Sequence, residues 1–337
     1  DWNSDGLLDI AVANRGDIAG LPNGIDGSIS LILNRGNGIF QTASPARLLA
    51  DDVPTTIAVA DFDNDGLPDL ITANQSSTAN GGSITVLAGL GTGVFERGTP
   101  IDQKARSLAV GDLNGDGRLD VVSVNGRDIG LFSGVEIPGS LSVFLGLGDG
   151  EFDLAGQFDV GMNPISVALA DFNGDGTLDV VTANELPDDD NSVNGTLSVL
   201  MGNGDGTFGT ASLLEAGMGP SSVIAEDLDH DGFVDLAVTN RGESFGMFGL
   251  PGTADNRVFV YWGRGDGTFE TPQIETVGNG PKELIAVDLN LDGVSELVTV
   301  NRGARLDSFG TNNTISILSP SVNSPRQFAA AATVTVP

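Results

Sequence analysis

Residues 171–184 read DFNGDGTLDVVTAN, an acidic loop that contains glycine and leads into an apolar run. Five further segments match it at the acids, at one glycine, in the apolar run and at the closing asparagine. The six segments begin at Asp1, Asp61, Asp112, Asp171, Asp227 and Asp288. Self-similarity at intervals of 51 to 61 residues is typical of a repeat architecture. The sequence therefore predicts six copies of one structural unit.

The residues around each acidic loop indicate β-strands. Ile165–Ala170 alternates before the loop, and alternation with period two is typical of a strand. Leu178–Ala183 follows as a second strand, and Thr196–Leu200 as a third after a variable polar loop. A Gly-rich turn, Gly204–Phe208, then leads into a fourth strand, and Asp-Gly between strands is a strong hairpin signal. Four short antiparallel strands per unit predict the blade of an all-β β-propeller.

The repeat count predicts the domain organisation. We expect a single propeller domain over residues 1–337, with a six- or seven-bladed ring and repeat units at about 1–53, 54–104, 105–163, 164–219, 220–280 and 281–337. A helical solenoid is disfavoured, since no long run of apolar residues has a period of 3.6. The chain begins just after a first strand and ends just before one. We therefore expect a longer polypeptide, or a ring that closes through other residues.

The acidic loops have the spacing of an oxygen-rich metal site. Each fits D-x-[DN]-x-D-G-x-x-[DE], which puts oxygen-bearing side chains at positions 1, 3, 5 and 9. Glycine at position 6 permits a sharp turn that brings in the carbonyl of position 7. Six to eight oxygen ligands in loose geometry suit Ca²⁺, whereas Mg²⁺ retains more water and Zn²⁺ prefers Cys or His. We predict about six Ca²⁺ ions, one per loop.

The EF-hand is the alternative for such a loop, but it requires an acid at position 12 and flanking helices. Position 12 is instead occupied by Val12, Thr72, Ser123, Thr182, Val238 or Thr299, and the flanks are predicted strands. The loops resemble the calcium-binding hairpin loops of FG-GAP repeats in integrin α-subunit propellers and in related bacterial VCBS-type repeats. The resemblance covers the whole chain in six copies. It implies that each loop joins the first and second strands of a blade on the lower face.

Carried over by position, the resemblance implies one ligand set per loop, with the backbone carbonyl as the ligand at position 7. The residues are Asp1, Asn3, Asp5, Leu7 and Asp9; Asp61, Asp63, Asp65, Leu67 and Asp69; Asp112, Asn114, Asp116, Arg118 and Asp120; Asp171, Asn173, Asp175, Thr177 and Asp179; Asp227, Asp229, Asp231, Phe233 and Asp235; Asp288, Asn290, Asp292, Val294 and Glu296. Two copies depart from the pattern. Glu296 has a longer arm than Asp, and a free amino group on Asp1 would weaken the first site unless the chain continues upstream.

Composition limits the classes of partner. The chain has 46 acidic and 15 basic residues, a net charge of −31, which disfavours nucleic acid or an anionic membrane as a partner. The excess charge fits either a solvated acidic surface or a set of metal ligands. There is no cysteine and no run of about 18 apolar residues, so we predict no disulfide and no membrane insertion. No signal peptide is visible.

We expect an extracellular binding or structural module, secreted or at the cell surface, rather than an enzyme. With no cysteine, one histidine and one tyrosine, the usual nucleophile–base pairs are nearly absent. The resemblance implies that loops between the second and third strands form an upper face for a protein or glycan partner, or for self-association. These loops are Arg15–Gly27, Gly126–Gly139, Glu185–Gly195, Arg241–Asn256 and Arg302–Asn313.

Apolar residues in those upper loops mark either an interface or local packing: Phe132, Phe245, Met247, Phe248 and Leu250. Two alternative functions remain. A lectin-like sugar binder would need aromatic platforms, and beyond phenylalanine only Trp2, Tyr261 and Trp262 are available. In a subunit of an extracellular filament or sheath, a segment of another chain would fill the position of the first strand that the sequence leaves unfilled.

Three weaker motifs have local explanations. Arg264-Gly265-Asp266 spells an integrin-recognition tripeptide, but it occupies the place of the Gly-Asp-Gly turn in other repeats. His230 lies at a variable loop position, which favours a solvent-facing residue over a catalytic base. Three glycosylation sequons begin at Asn74, Asn194 and Asn312, and Asn74 is also a recurring repeat position.

Overall fold

The computed structural model describes residues 1–14, 27–49, 53–75, 82–126, 139–185, 194–242, 254–302, 313–321 and 324–335. Every regular element in these ranges is a β-strand, so the predicted all-β class is confirmed. In this part of the chain, no helix is long and apolar enough to cross a membrane.

The chain divides into two compact units. The first contains Asp1–Glu136, Ser140–Phe158 and Gly204–Thr207, and the second contains Ile137–Gly139, Asp159–Asn203 and Phe208–Pro337. The first unit contains β1 (Ile10–Asn14), β2 (Ser28–Asn34), β3 (Phe40–Leu49), β4 (Val53–Ala60), β5 (Asp69–Gln75), β6 (Gly82–Gly89), β7 (Phe95–Arg97), β8 (Ser107–Gly111), β9 (Asp120–Asn125) and most of β10 (Gly139–Gly146) and β11 (Phe152–Val160).

The second unit contains the remaining strands. They are β12 (Pro164–Ala170), β13 (Asp179–Asn184), β14 (Gly195–Leu200), β15 (Ser212–Gly217), β16 (Pro220–Glu226), β17 (Asp235–Gly242), β18 (Ala254–Tyr261), β19 (Gln273–Thr276), β20 (Pro281–Val287), β21 (Glu296–Asn301), β22 (Thr314–Leu318), β23 (Pro320–Ser321), β24 (Ser324–Phe328) and β25 (Ala332–Thr335).

Apart from β23 and β24, the described strands form six antiparallel sheets in chain order. Blade one is β1–β3, blade two β4–β7, blade three β8–β11, blade four β12–β15, blade five β16–β19, and blade six β20, β21, β22 and β25. Blade one has three strands among the described residues, equivalent to the second to fourth strands elsewhere. Repeated four-stranded meanders are the blades of a β-propeller, so the predicted propeller fold is confirmed with six blades. The unit boundaries and the single-domain organisation stay predictions.

Apolar side chains from neighbouring sheets pack together and form the core. In the first unit, Leu31 and Leu70 belong to a cluster shared by blades one and two, and Ile71 and Phe144 to one shared by blades two and three. The second unit repeats the arrangement between blades four and five and between blades five and six. A single twisted sheet cannot bury both faces alone, so this repeated packing stabilises each blade through its neighbour.

The asparagine that closes each repeat lies at the end of the second strand and links it to the third. In blade four, Nδ2 of Asn184 donates to Oγ of Ser198 at 2.9 Å and to Oγ1 of Thr196 at 3.2 Å. Asn14, Asn74, Asn125 and Asn301 make the equivalent pair of bonds. Blade five differs, since Asn240 pairs in register with Arg257 and no described group bonds its amide atoms.

Blade six has an inserted hairpin before its fourth strand. Residues 319–325 read SPSVNSP and lack the Gly-rich turn of the other repeats, and β23 and β24 pair in this region as a two-stranded sheet. The fourth strand, β25, then pairs with β22.

Candidate metal loops

The acidic segments of blades two to six connect the first and second strands, as predicted, while that of blade one precedes β1, the equivalent of a second strand. We name the segments loop one (residues 1–9), loop two (61–69), loop three (112–120), loop four (171–179), loop five (227–235) and loop six (288–296). In blade four, for example, β12 ends at Ala170 and β13 begins at Asp179. Position 9 is thus already the first residue of the second strand in loops two to six, and only positions 1–8 are irregular.

The backbone turns twice through the left-handed region in every loop. Glycine at position 6 has φ between 83° and 92°. Position 4 also has positive φ, including His230 at 61° and Leu291 at 62°. Positive φ favours glycine and, among other residues, asparagine and aspartate. The sharp turn at position 6 was predicted from its glycine. The positive φ at position 4 was not predicted, although Gly115, Gly174 and Asn64 at that position indicate it.

These turns direct backbone N–H groups at the loop carboxylates. In loop four, Oδ2 of Asp171 accepts the N–H of Gly176 at 2.8 Å, and Oδ1 of Asp175 accepts the N–H of Thr177 at 2.8 Å. The N–H of Asp175 is shared between Oδ1 of Asp171 at 3.2 Å and Oδ1 of Asn173 at 2.8 Å. One N–H can reach two oxygens only when these lie side by side, so positions 1 and 3 converge. Loops one, three, five and six repeat this shared bond.

The acid at position 9 is buried in loops two to six and fixes the loop to the blade. In loop four, Oδ2 of Asp179 accepts the N–H of Phe172 at 2.8 Å, while Oδ1 accepts the N–H of Gly202 beyond the third strand at 2.8 Å. The aspartates of loops one, two, three and five make the same two kinds of bond. A Cβ on Gly202 would lie 2.3 Å from the carbonyl oxygen of Leu178, so this approach requires glycine in blade four.

Burial raises the pKa of the position 9 aspartates in loops two to five, because desolvation disfavours the charged form. The pKa of Asp235 rises to about 7, mainly by desolvation and less by the neighbouring Asp229 and Asp231, although two backbone bonds oppose the shift. Desolvation likewise raises the pKa of Asp69, Asp120 and Asp179. A nearby cation would favour the charged form and lower the pKa again.

Two loops bring three carboxylates into one small volume. Carboxylate oxygens of Asp61, Asp63 and Asp65 in loop two all lie within 4.8 Å of one another, and so do those of Asp227, Asp229 and Asp235 in loop five. Oδ1 of Asp61 is buried and has no hydrogen-bond partner among the described residues. A carboxylate with a buried, unpaired oxygen in a cluster with two further carboxylates fits a hard cation such as Ca²⁺, which binds oxygen ligands.

Loops three and four, which have asparagine at position 3, relieve this repulsion internally. Nδ2 of Asn114 donates to Oδ2 of Asp116 at 3.2 Å, and Nδ2 of Asn173 donates to Oδ2 of Asp175 at 2.9 Å. Loop six uses its longer acid differently. Oε2 of Glu296 accepts the N–H of Leu289 at 2.8 Å, but Oε1 accepts Nδ2 of Asn290 at 2.8 Å instead of a backbone N–H beyond the third strand.

Loops one to four also contact the Gly-rich turn of the following blade, a contact that was not predicted from the sequence. The N–H of Gly93 donates to the carbonyl oxygen of Trp2 at 2.7 Å, and the N–H of Gly267 donates to that of Phe172 at 3.0 Å. The turn phenylalanine packs edge-on against the position 2 ring, as in the pair Phe172 and Phe269, with centroids 5.7 Å apart. Backbone bonds of the same kind join Gly150 to Phe62 and Gly206 to Leu113.

The tripeptide Arg264-Gly265-Asp266 forms the predicted turn. Nη1 of Arg264 donates to the carbonyl oxygen of Phe269 at 2.7 Å, and Oδ1 of Asp266 accepts the N–H of Thr268 at 3.0 Å. Both charged side chains thus have partners within the turn itself.

Other singled-out residues occupy varied environments. His230 is exposed, as predicted. Asn74 is fully buried, which excludes it as a sugar acceptor in the folded chain, whereas Asn194 is bonded to Glu215. Trp2, Tyr261 and Trp262 are all buried, so none is an exposed stacking platform. Most of the upper loops lie outside the described residues. So do Asn312 and the apolar residues of those loops: Phe132, Phe245, Met247, Phe248 and Leu250.

Comparison with protein families supports the repeat assignment. Residues 1–72 and 129–182 match the model of the FG-GAP-like repeat, and residues 218–261 match that of the FG-GAP repeat. Together these matches cover about half of the chain. The chain belongs to the FG-GAP repeat family. The matches include loops one, two, four and five of this FG-GAP propeller, and the predicted resemblance is confirmed.

Solved structures show the same fold without close sequence similarity. One is the crystal structure of a functionally unknown protein from Desulfotomaculum acetoxidans, with 10% sequence identity and a TM-score of 0.60. The similarity covers 92% of this chain and 77% of that one. No curated protein matches the sequence significantly.

Proposed function

We propose that this FG-GAP propeller is an extracellular calcium-binding module in which Ca²⁺ rigidifies the blades. The observation that carries the proposal is loop two, where three carboxylates converge and Oδ1 of Asp61 is buried without a described partner. Without a cation these charges repel one another and oppose folding of the loop. The donor set suits Ca²⁺ because every donor is a hard oxygen.

Positions 1, 3, 5 and 9 of the six loops would hold the ions, together with the carbonyl at position 7. When bound, Ca²⁺ supplies positive charge and cross-links the oxygens of a loop. The chain supplies the frame: backbone N–H groups orient the acids at positions 1, 3 and 5. The acid at position 9 connects the loop to strands two and three, as Asp179 does through Phe172 and Gly202.

We propose a binding or structural role for the whole module, with no catalytic reaction. The rigid blades would present the upper loops to a protein or glycan partner, or to another copy, in an adhesive setting outside the cell. What supports this role is a repeated scaffold whose variation is concentrated in those loops. Among these partners, a glycan is the less favoured, since the three rings available besides phenylalanine are buried.

Removing charge from loop two tests the metal assignment. The variant Asp63→Asn/Asp65→Asn should lose one Ca²⁺ per chain in equilibrium dialysis, because two of its carboxylates become neutral. A matched control is Asp149→Asn/Asp205→Asn, which removes equal charge from exposed turns where each acid also accepts an N–H two residues ahead. The control should keep the parent stoichiometry. A parent chain that binds no Ca²⁺, or a loop-two variant with unchanged stoichiometry, would contradict the proposal.

A further inference from the structure

Loop five contains a positively charged side chain from the neighbouring blade. Arg326, on β24 of the blade-six hairpin, donates through Nε to Oδ2 of Asp229 and through Nη2 to Oδ2 of Asp231 at 2.9 Å. Its Nη1 reaches Oε1 of Glu270 at 3.2 Å. Asp229 and Asp231 are positions 3 and 5 of the loop. One guanidinium therefore bridges two of the proposed calcium ligands, in the planar fork geometry that suits carboxylates.

Two aromatic rings hold the hairpin against the same site. The guanidinium carbon of Arg326 lies 5.2 Å from the ring centroid of Trp262, within the range of a cation–π contact. Phe328, two residues further along β24, stacks on Trp262 with centroids 6.3 Å apart and an interplanar angle of 11°. Arg326 is thus positioned by its own strand and by the buried Trp262, rather than by the carboxylates alone.

The other loops differ from loop five in how the side chains at positions 3 and 5 are paired. Only loops two and five have aspartate at both positions 3 and 5. In loops three and four an asparagine amide donates to the acid at position 5. In loop two, no ion pair among the described residues reaches Asp63 or Asp65. Loop five has aspartate at the same positions as loop two, but in loop five Arg326 already pairs with Oδ2 of Asp229 and Oδ2 of Asp231.

We propose that Arg326 acts as a tethered cation of loop five, so that Ca²⁺ binding at this loop competes with docking of the β23–β24 hairpin. The inference rests on the proposed calcium function of the loops. Loop five then joins blades five and six without metal, where the other blades use a Gly-rich turn. Calcium would enter loop five only as the guanidinium leaves Asp229 and Asp231, and its affinity there would be lower than in loop two.

The test replaces Arg326 and follows both the ion and the hairpin. The Trp2→Phe variant serves as the parent, since it leaves Trp262 as the only tryptophan and its fluorescence then reports on the hairpin. At a free Ca²⁺ concentration that fills loop two of the parent but not loop five, Arg326→Gln in this background should bind one more Ca²⁺ per chain than the parent. The matched control is Arg257→Gln, which removes an arginine that pairs with Asp255 at 2.6 Å and lies 5.3 Å from the Phe259 ring. Arg257 pairs in register with Asn240, near the end of β17 that is opposite to loop five. This control should leave the stoichiometry unchanged.

A second measurement in chelator tests the neutralising role without calcium. Arg326→Gln should lower the thermal midpoint and shift the Trp262 emission, because Asp229 and Asp231 then repel each other beside a loosened hairpin. Adding Asp229→Asn/Asp231→Asn to that variant should restore part of the midpoint, an outcome that a purely steric role of Arg326 does not predict.

The outcomes separate the two proposals. A parent chain that binds no Ca²⁺ contradicts the proposed function and the competition together. A parent that binds Ca²⁺ at loop two, while Arg326→Gln gains no ion and the charge-neutral variant restores nothing in chelator, contradicts only the role of Arg326.

Discussion

At the scale of single residues, the acidic loops depend on backbone conformations that side chains oppose. Leu291 occupies position 4 of loop six with φ of 62° and is 88% exposed, so it has left-handed backbone and little packing. Asparagine tolerates this conformation better than leucine. We expect Leu291→Asn to raise the free energy of unfolding by roughly 0.5–1 kcal/mol in denaturant titrations.

The control for that substitution is Leu289→Asn in the same loop. Leu289 is also exposed but does not have positive φ. It should give no gain, and equal stabilisation by both variants would show that removing exposed leucine, rather than relieving the backbone, is the cause.

The buried asparagines give a second prediction at this scale. Asn184 donates to two hydroxyls, whereas no described group bonds the amide of the equally buried Asn240. Asn184→Leu should cost about 1–3 kcal/mol, since it leaves the hydroxyls of Thr196 and Ser198 without their partner. Asn240→Leu should be neutral or stabilising, because it removes an unpaired polar group. Equal losses in chemical denaturation would contradict the bonding pattern.

At the scale of the structural element, the acid at position 9 connects each loop to the strand that follows it. The folded state raises the pKa of Asp235 to about 7 from 3.8, so between these values it binds more protons than the unfolded state. Stability without metal should therefore fall as pH rises from about 4 to about 7. The raised pKa values of Asp69, Asp120 and Asp179 act in the same direction.

Thermal unfolding in chelator across this pH range measures the effect. Saturating Ca²⁺ should flatten or reverse the slope, because a bound cation favours the ionised carboxylates. A midpoint in chelator that rises steadily from pH 4 to 7 would contradict the raised pKa values of these buried acids.

Much of each blade could be predicted from sequence because its signals are local. Alternation gave the strands, and the acids with Gly at position 6 indicated the turn before Asp179. The contact of Arg326 with Asp229 could not be predicted, since the two residues are 97 positions apart and only the packing of blade six on blade five brings them together. Nothing local in the sequence around Arg326 indicates a partner in loop five.

At the scale of the whole molecule, the dominant electrostatic property is the net charge of −31. Repulsion among so many carboxylates opposes a compact state, and it is strongest where the loops gather several acids. The structure concentrates acids at positions 1, 3, 5 and 9 of six loops, close to the turns that join neighbouring blades. Cations at the loops would therefore stabilise individual blades and the contacts between neighbours.

The most direct test of the calcium account is thermal unfolding of the parent chain with Ca²⁺ and with excess chelator, alongside a count of bound ions. Each site at a free Ca²⁺ concentration of 100 times its dissociation constant contributes about 2.7 kcal/mol. With several sites, we predict several bound ions per chain and a midpoint on the order of 10 °C lower in chelator. An unchanged midpoint with no bound metal would contradict the account and would leave the acidic loops as turns of a metal-free propeller.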